Sequence, residues 1–342
     1  MASSPLRLRL DGAALVHNWK TLAAMSGSAT CGAAVKADGY GLGAHEVVKR
    51  LAAAGCRDFF VAHWSEARAL ADLGVTLSVL HGVREEDIAD RPAGVRPVLN
   101  SPEQIARWRQ ADGGACDVMV DTGMNRLGVS TADVAAGLLE GLQIETLMSH
   151  LACADEDSAM NDRQRERFAA LAGRTTAKRM SLANSAGIAL GSGYHFDLTR
   201  PGLALYGGIA RAEFATAIRQ VVQPEAQVLQ RRSVRAGETV GYNATFTAPA
   251  DTEVAILNIG YADGYLRCFS GKGRARFGGA ELPVLGRVSM DLLAIDIAAA
   301  PGVAEGDWVS LSYALPETAA LTGLSEYELL TALGGRYARL WF

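Results

Sequence analysis

From about residue 12 to 207, short β-branched or apolar runs alternate with longer Ala-rich segments whose apolar positions recur at helical spacing. The strand-like runs are CGAAVKA (31–37), DFFVA (58–62), LSVLHG (77–82), VRPVLN (95–100), CDVMVD (116–121), IETLMSHL (144–151), KRMSLANS (178–185) and HFDLTR into LALYG (195–207). Helical periods fall between them at 44–55, 64–74, 102–111, 130–140 and 159–174, with Asp157 or Ser158 placed to cap the last. Eight strands, seven crossovers and a helix ahead of the first strand predict an α/β fold, a parallel (β/α)8 barrel. A doubly wound open sheet is the alternative, but no G-x-G-x-x-G follows the first strand.

After about residue 218 the period changes. Strand runs follow one another without long helices: VVQPEAQVLQ, ETVGYNATFTA, EVAILNIGYA, ELPVLGRVSMDLLAIDI and DWVSLSY. Turn glycines separate them, and two short helices near 316–321 and 325–333 close the chain. The expected organisation is a barrel over residues 1–218 and a mostly-β domain over 219–342, with the first residues open to pairing with the second domain.

Composition narrows the class. A chain of 342 residues exceeds what one hydrophobic core usually serves. With 49% apolar and 20% charged residues it has the balance of a soluble globular protein. A net charge of −4 deprives it of the positive field a nucleic-acid binder needs. No apolar run approaches the roughly 18 residues of a membrane span, and MASSPLRLRLDG lacks the apolar stretch of a signal peptide. Five cysteines, an odd number with no C-x-x-C pair, fit reduced thiols better than a disulfide framework or a metal site. The expectation is a cytoplasmic enzyme with no membrane, nucleic-acid or metal partner.

In a parallel barrel the C-terminal strand ends build the site, and the notable polar residues fall there. Lys36 ends the first run, Arg126 follows the fifth, and His150, Ser185 and Arg200 end the sixth, seventh and eighth. A lysine on an apolar strand is either a cation snorkelling from the strand end or an amine whose proton burial weakens, as a Schiff-base nucleophile requires. The glycines of GYGLG and RPG let backbone amides approach an anion, and with Ser185 they offer a phosphate cradle.

The segments AAVKADGYGLGA, VDTGMNRLG, SHLACADE, RPGLALYGG, VGYNATFTA, IGYADGY and GRVSMD, in this order, resemble bacterial alanine racemase along almost the whole chain. That resemblance implies a pyridoxal 5'-phosphate enzyme interconverting L- and D-alanine, a source of D-alanine for peptidoglycan, and a homodimer with composite sites. It implies that Lys36 forms the Schiff base and is one catalytic base, and that Tyr242 is the second, on the opposite face of the substrate α-carbon. Tyr40, Ser185, Gly202 and Leu203 are matched to phosphate binding, Arg126 to bracing the cofactor's phenolic oxygen, Met290 to an amide on the substrate carboxylate and Tyr261 to the entrance. Arg200 is matched to the ring nitrogen, with His150 as the hydrogen-bonding neighbour that holds it. Because a cationic arginine disfavours pyridine protonation, the resemblance favours racemisation over transamination.

Two positions depart from the pattern. Met119 stands where many relatives carry a carbamylated lysine that orients the residue matched by Arg126. Gly335 stands where many carry a tyrosine that narrows the entrance and touches the phosphate, although Tyr337 lies close by. The wider entrance implies, as the alternative, a racemase of broader specificity that also accepts serine. A decarboxylase of the same architecture would pair the ring nitrogen with an acid and carry a glycine-triplet phosphate loop. A non-catalytic cofactor carrier would lack the β domain and Tyr242.

Overall fold

The computed structural model describes residues 4–342, which divide into two compact units, Ala14–Arg219 and Gln220–Phe342 joined by the described N-terminal residues through Ala13.

In the first unit the strands are all parallel and lie at Thr30–Cys31 with Ala33–Ala34, then Asp58–Val61, Thr76–Val79, Val95–Leu99, Cys116–Asp121, Ile144–Met148, Arg179–Ser181 and Leu198–Thr199. The first strand is split at Gly32, where a Cβ would fall 2.8 Å from the Asp58 carbonyl and equally close to the Phe60 ring. Its first half pairs with the last strand (Cys31 opposite Thr199) and its second half with the next (Ala33 opposite Phe59). The Asp197 N–H donates to the Met180 carbonyl at 3.0 Å and the Arg200 N–H to the Ala183 carbonyl at 2.8 Å. Those bonds close the eight strands into a barrel and rule out the open sheet. Strands covered on both faces read as near-continuous apolar runs, and Phe59, Leu77, Val79, Val98, Val118 and Leu147 are indeed fully buried.

The helices are shorter than their periods predict. Ser101 caps Pro102–Gln110 and Ser158 caps Ala159–Ala169, each through its hydroxyl oxygen. The helix expected over 130–140 is Thr131–Ala135, because Gly137 turns to φ +86° two residues past its end.

The second unit holds an antiparallel-rich sheet in the order Thr252–Leu257, Leu293–Asp296, Ala280–Leu285, Arg274–Phe277, Trp308–Leu311, Val222–Val234, Leu6–Leu10 and Ala338–Trp341. The long strand Val222–Val234 also pairs with Thr252–Leu257, so the sheet curls back on itself. The charge–leucine alternation of the N-terminus is strand periodicity. Leu6, Leu8 and Leu10 are buried, while Arg7 and Arg9 meet Glu225 on the other face. Helices occur at Leu315–Thr322 and Glu326–Thr331. Among the described residues no helix is long and apolar enough to cross a membrane.

Candidate active site

At the C-terminal end of the barrel the chain leaves Ala33–Ala34 and enters a left-handed stretch: Ala37, Asp38 and Tyr40 have φ of +53°, +53° and +55°. Each such non-glycine residue costs on the order of 1 kcal/mol, so other groups must hold the segment. Glu66 does: one oxygen accepts the Ala37 N–H at 2.7 Å, the other the Ala62 N–H at 2.6 Å. Asp38 accepts the Ala44 N–H at 2.8 Å. Lys36 heads this stretch, exposed at the mouth, yet surrounding protein strips enough water to hold its pKa below the ordinary lysine value. The Arg126 cation depresses it further and Glu66 opposes. An amine that parts with its proton readily is what nucleophilic attack on an aldehyde requires.

Tyr40 is buried and stacks on Tyr206 with ring centroids 4.6 Å apart; the Tyr206 hydroxyl donates to the Ala34 carbonyl at 2.9 Å. The Tyr40 hydroxyl lies 2.3 Å from where a Cβ at Gly202 would stand, so only glycine fits there. The buried Ser185 hydroxyl oxygen accepts the N–H groups of Gly202 (2.9 Å) and Ala204 (3.2 Å). Between them the Leu203 N–H has no acceptor among the described residues. A tyrosine hydroxyl, a serine hydroxyl and backbone amides thus converge on one small volume, the donor set of a phosphate cradle.

Arg200 is buried at the end of the last strand. Its guanidinium donates to the Ser181 hydroxyl and, at 2.7 Å, to the Ser149 carbonyl. Burial pushes its pKa down to about 10, with the buried Asp117 carboxylate opposing, so it remains a cation at neutral pH. The expectation that His150 holds Arg200 is therefore corrected. Ser181 and Ser149 do so, and among the described residues the His150 ring makes no hydrogen bond. Burial, then the charges of Arg200, Arg126 and Lys36, push the imidazole down to about 3, leaving it neutral in this cationic surround. Arg126 is exposed on the loop after Cys116–Asp121, and its guanidinium has no hydrogen bond among the described residues. Met119, buried on that strand, has no group with which to orient it.

The second unit carries the other set. Tyr242 follows Gly241 (φ +79°) in a single helical turn that interrupts the strand expected over ETVGYNATFTA. It is 68% exposed, so it is not a tyrosine packed between strands. Beside it runs a groove of about 850 Å3 floored by Val234, Val240, Ile256 and Leu285. Tyr261 and Met290 lie on two turns zipped by backbone bonds: the Tyr261 N–H donates to the Ser289 carbonyl and the Ala262 N–H to the Met290 carbonyl, both at 3.0 Å. A Cβ at Gly260 would lie 2.3 Å from the Met290 oxygen. The Met290 N–H has no acceptor among the described residues and is free to receive an anion. Arg267 covers the Tyr261 ring at 5.1 Å. Gly335 has open space where a side chain would stand.

The expected residues thus form two sets: Lys36, Tyr40, Arg126, His150, Ser185, Arg200, Gly202 and Leu203 on the barrel, and Tyr242, Tyr261 and Met290 on the β unit. Glu66, Ser149 and Ser181 escaped the sequence reading. Of these only Glu66, a lone acid just past the second strand, left a visible signal.

A profile of the alanine racemase N-terminal domain matches residues 10–210, and one of the C-terminal domain matches 221–341. Alanine racemase of Acidiphilium cryptum is 43% identical over 97% of this chain and 98% of its own, and that of Methylobacterium nodulans 44% identical over 99% and 96%. The crystal structure of alanine racemase from Bartonella henselae with covalently bound pyridoxal phosphate superposes with a TM-score of 0.90, at 36% identity and over 100% of both chains. With both domain profiles matched in sequence and a fold shared from end to end, the chain belongs to the alanine racemase family.

Proposed function

We propose that this protein interconverts L- and D-alanine with pyridoxal 5'-phosphate, as the relatives' names describe, and so supplies D-alanine for peptidoglycan. The observation that carries the reading is the buried Arg200 beside a neutral phosphate cradle, at the same end of the barrel as an amine of lowered pKa. The residues fit the cofactor. Lys36 would hold it covalently, Tyr40, Ser185, Gly202 and Leu203 would hold its phosphate, and Arg200 would face its ring nitrogen. When bound, pyridoxal phosphate supplies an electron sink that acidifies the substrate α C–H.

The chain's own groups do the rest. The Met290 amide receives the substrate carboxylate, and Tyr261 walls the entrance. Lys36 Nζ takes or returns a proton on one face of the α-carbon, and the Tyr242 hydroxyl serves the opposite face. Two bases are needed because one side chain cannot reach both faces of a planar centre. In our reading the two units meet across a homodimer, Lys36 from one subunit and Tyr242 from the other.

Incubation with L-alanine, with D-alanine measured enzymatically, tests this; no D-alanine from cofactor-loaded protein would overturn it. The same assay over a panel of amino acids tests the broader-specificity reading, which the open space at Gly335 favours. Serine turned over at a rate near that of alanine would establish it. Carbon dioxide release from larger amino acids would reveal the decarboxylase.

Arg200 sets the partition. Arg200→Glu places an acid where a cation opposes ring-nitrogen protonation, so racemisation should fall by about 10-fold or more and transamination per turnover should rise. Pyruvate and pyridoxamine phosphate formed per racemisation event are the readout; an unchanged ratio would disprove this role.

A further inference from the structure

The turns that carry Tyr261 and Met290 share a second tie. Asp263, only 1% exposed, ends the first turn, and its Oδ2 accepts the Gly260 N–H at 3.0 Å. Its Oδ1 accepts the Arg336 Nε–H at 2.6 Å. The same guanidinium reaches on through Nη1 to Asp291 Oδ1 at 2.8 Å. Asp291 directly follows Met290 and, like it, is half exposed, so the tip of that turn is not fixed by burial. Arg336 is itself anchored. Its carbonyl accepts the Ser4 hydroxyl at 2.7 Å, and two residues on the chain enters the strand Ala338–Trp341. The backbone zipper fixes the spacing of the turns. Ser289 closes the base of the second: its N–H and hydroxyl donate to the Leu292 carbonyl at 2.9 and 2.7 Å, and its hydroxyl oxygen accepts the Leu292 N–H at 3.0 Å. At the exposed Met290–Asp291 tip, however, the Asp291 side chain is tied only to Arg336 among the described residues. A planar guanidinium forked between two carboxylates holds that tip.

We infer that Arg336 is a positioning residue, whose bridge from Asp263 to Asp291 holds the Met290 amide where the substrate carboxylate is received. The inference rests on the proposed role of the Met290 amide. Without the bridge the amide samples orientations that miss the carboxylate, so ground-state binding suffers first. Lysine at this position would pair with one carboxylate and leave the other.

The test uses the cofactor-loaded enzyme, alanine kinetics in both directions, and competitive inhibition by propionate, which is the substrate without its amino group. Arg336→Ala and Asp291→Ala are each expected to raise the alanine KM and the propionate Ki by about fivefold or more, with kcat changing less. Asp291→Ala is the discriminating variant, because it removes the exposed acceptor while leaving the buried Asp263–Arg336 pair in place, and so preserves the fold. It also removes a negative charge near a carboxylate site. Simple electrostatics would therefore lower the Ki, whereas lost positioning raises it. A Ki that is unchanged or lower in Asp291→Ala overturns the inference. So does a fall in melting temperature and kcat in Arg336→Ala with Ki constant, since that marks a purely structural tie. Failure of propionate to compete with alanine in the parent enzyme would instead show that the amide's proposed role is wrong, and the inference falls with it.

Discussion

Lys36→Ala is expected to abolish racemisation, by at least about 10^3-fold, and with it the visible-edge absorbance of covalently held pyridoxal phosphate. The chain has five lysines, and no other can substitute. Lys20 and Lys49 ride on helices, Gly12–Met25 and Ala44–Ala54. Lys178 precedes the strand Arg179–Ser181, at the end of the barrel opposite the phosphate cradle, and is paired with Glu145 at 2.6 Å. Lys272 belongs to the other unit. None of the four has the left-handed turn or the Glu66 clamp that presents Lys36. Borohydride reduction followed by mass spectrometry is the check. An adduct surviving in the variant would mean that another amine carries the cofactor, and the assignment of Lys36 would be wrong.

Mixing two dead enzymes is expected to give back a live one. Lys36→Ala and Tyr242→Phe, each inactive alone, are dissociated, combined and allowed to reassociate. In a two-fold dimer with composite sites, a mixed dimer places both lesions in one site and none in the other. Random exchange makes about half the dimers mixed, each with one intact site of two, so about a quarter of parental activity should return. Were Lys36 and Tyr242 to meet within one chain, every site would keep a lesion and no activity would return. On its own unit Tyr242 is 68% exposed.

The barrel was legible because parallel strands buried on both faces leave unbroken apolar runs, and Asp58–Val61, Val95–Leu99 and Cys116–Asp121 lie where those runs lie. The β unit was harder to read. ELPVLGRVSMDLLAIDI reads as one strand, but it is two, Ala280–Leu285 and Leu293–Asp296, around the turn that carries Met290. Apolarity there serves both a core and an exposed site, and periodicity does not distinguish them. The strands Arg274–Phe277 and Ala338–Trp341 went unread because each is only four residues long and is broken by charge, at Arg274 and Arg276 in the first and at Arg339 in the second. The site was legible in its chemistry-bearing side chains and opaque in what holds them. A serine hydroxyl or a main-chain carbonyl bracing a guanidinium, as Ser181 and Ser149 brace Arg200, has no sequence signature. A histidine nearby attracts the assignment instead.

The strand Leu6–Leu10 gives the molecule an unusual order of manufacture. It lies antiparallel to Val222–Val234 and parallel to Ala338–Trp341, between the two and one place in from the end of the sheet. A ribosome makes this strand well before its neighbours, both of which come more than 200 residues later. At 5–20 residues per second the strand waits on the order of 10 seconds or more while the barrel is completed. The barrel is in effect a long insertion between one strand and the rest of its sheet. The sheet cannot finish until Ala338–Trp341 has been made. The alternation of arginine with leucine along the waiting segment then serves a second purpose. It keeps an unpaired strand soluble and poor at pairing with strangers until its own neighbours arrive.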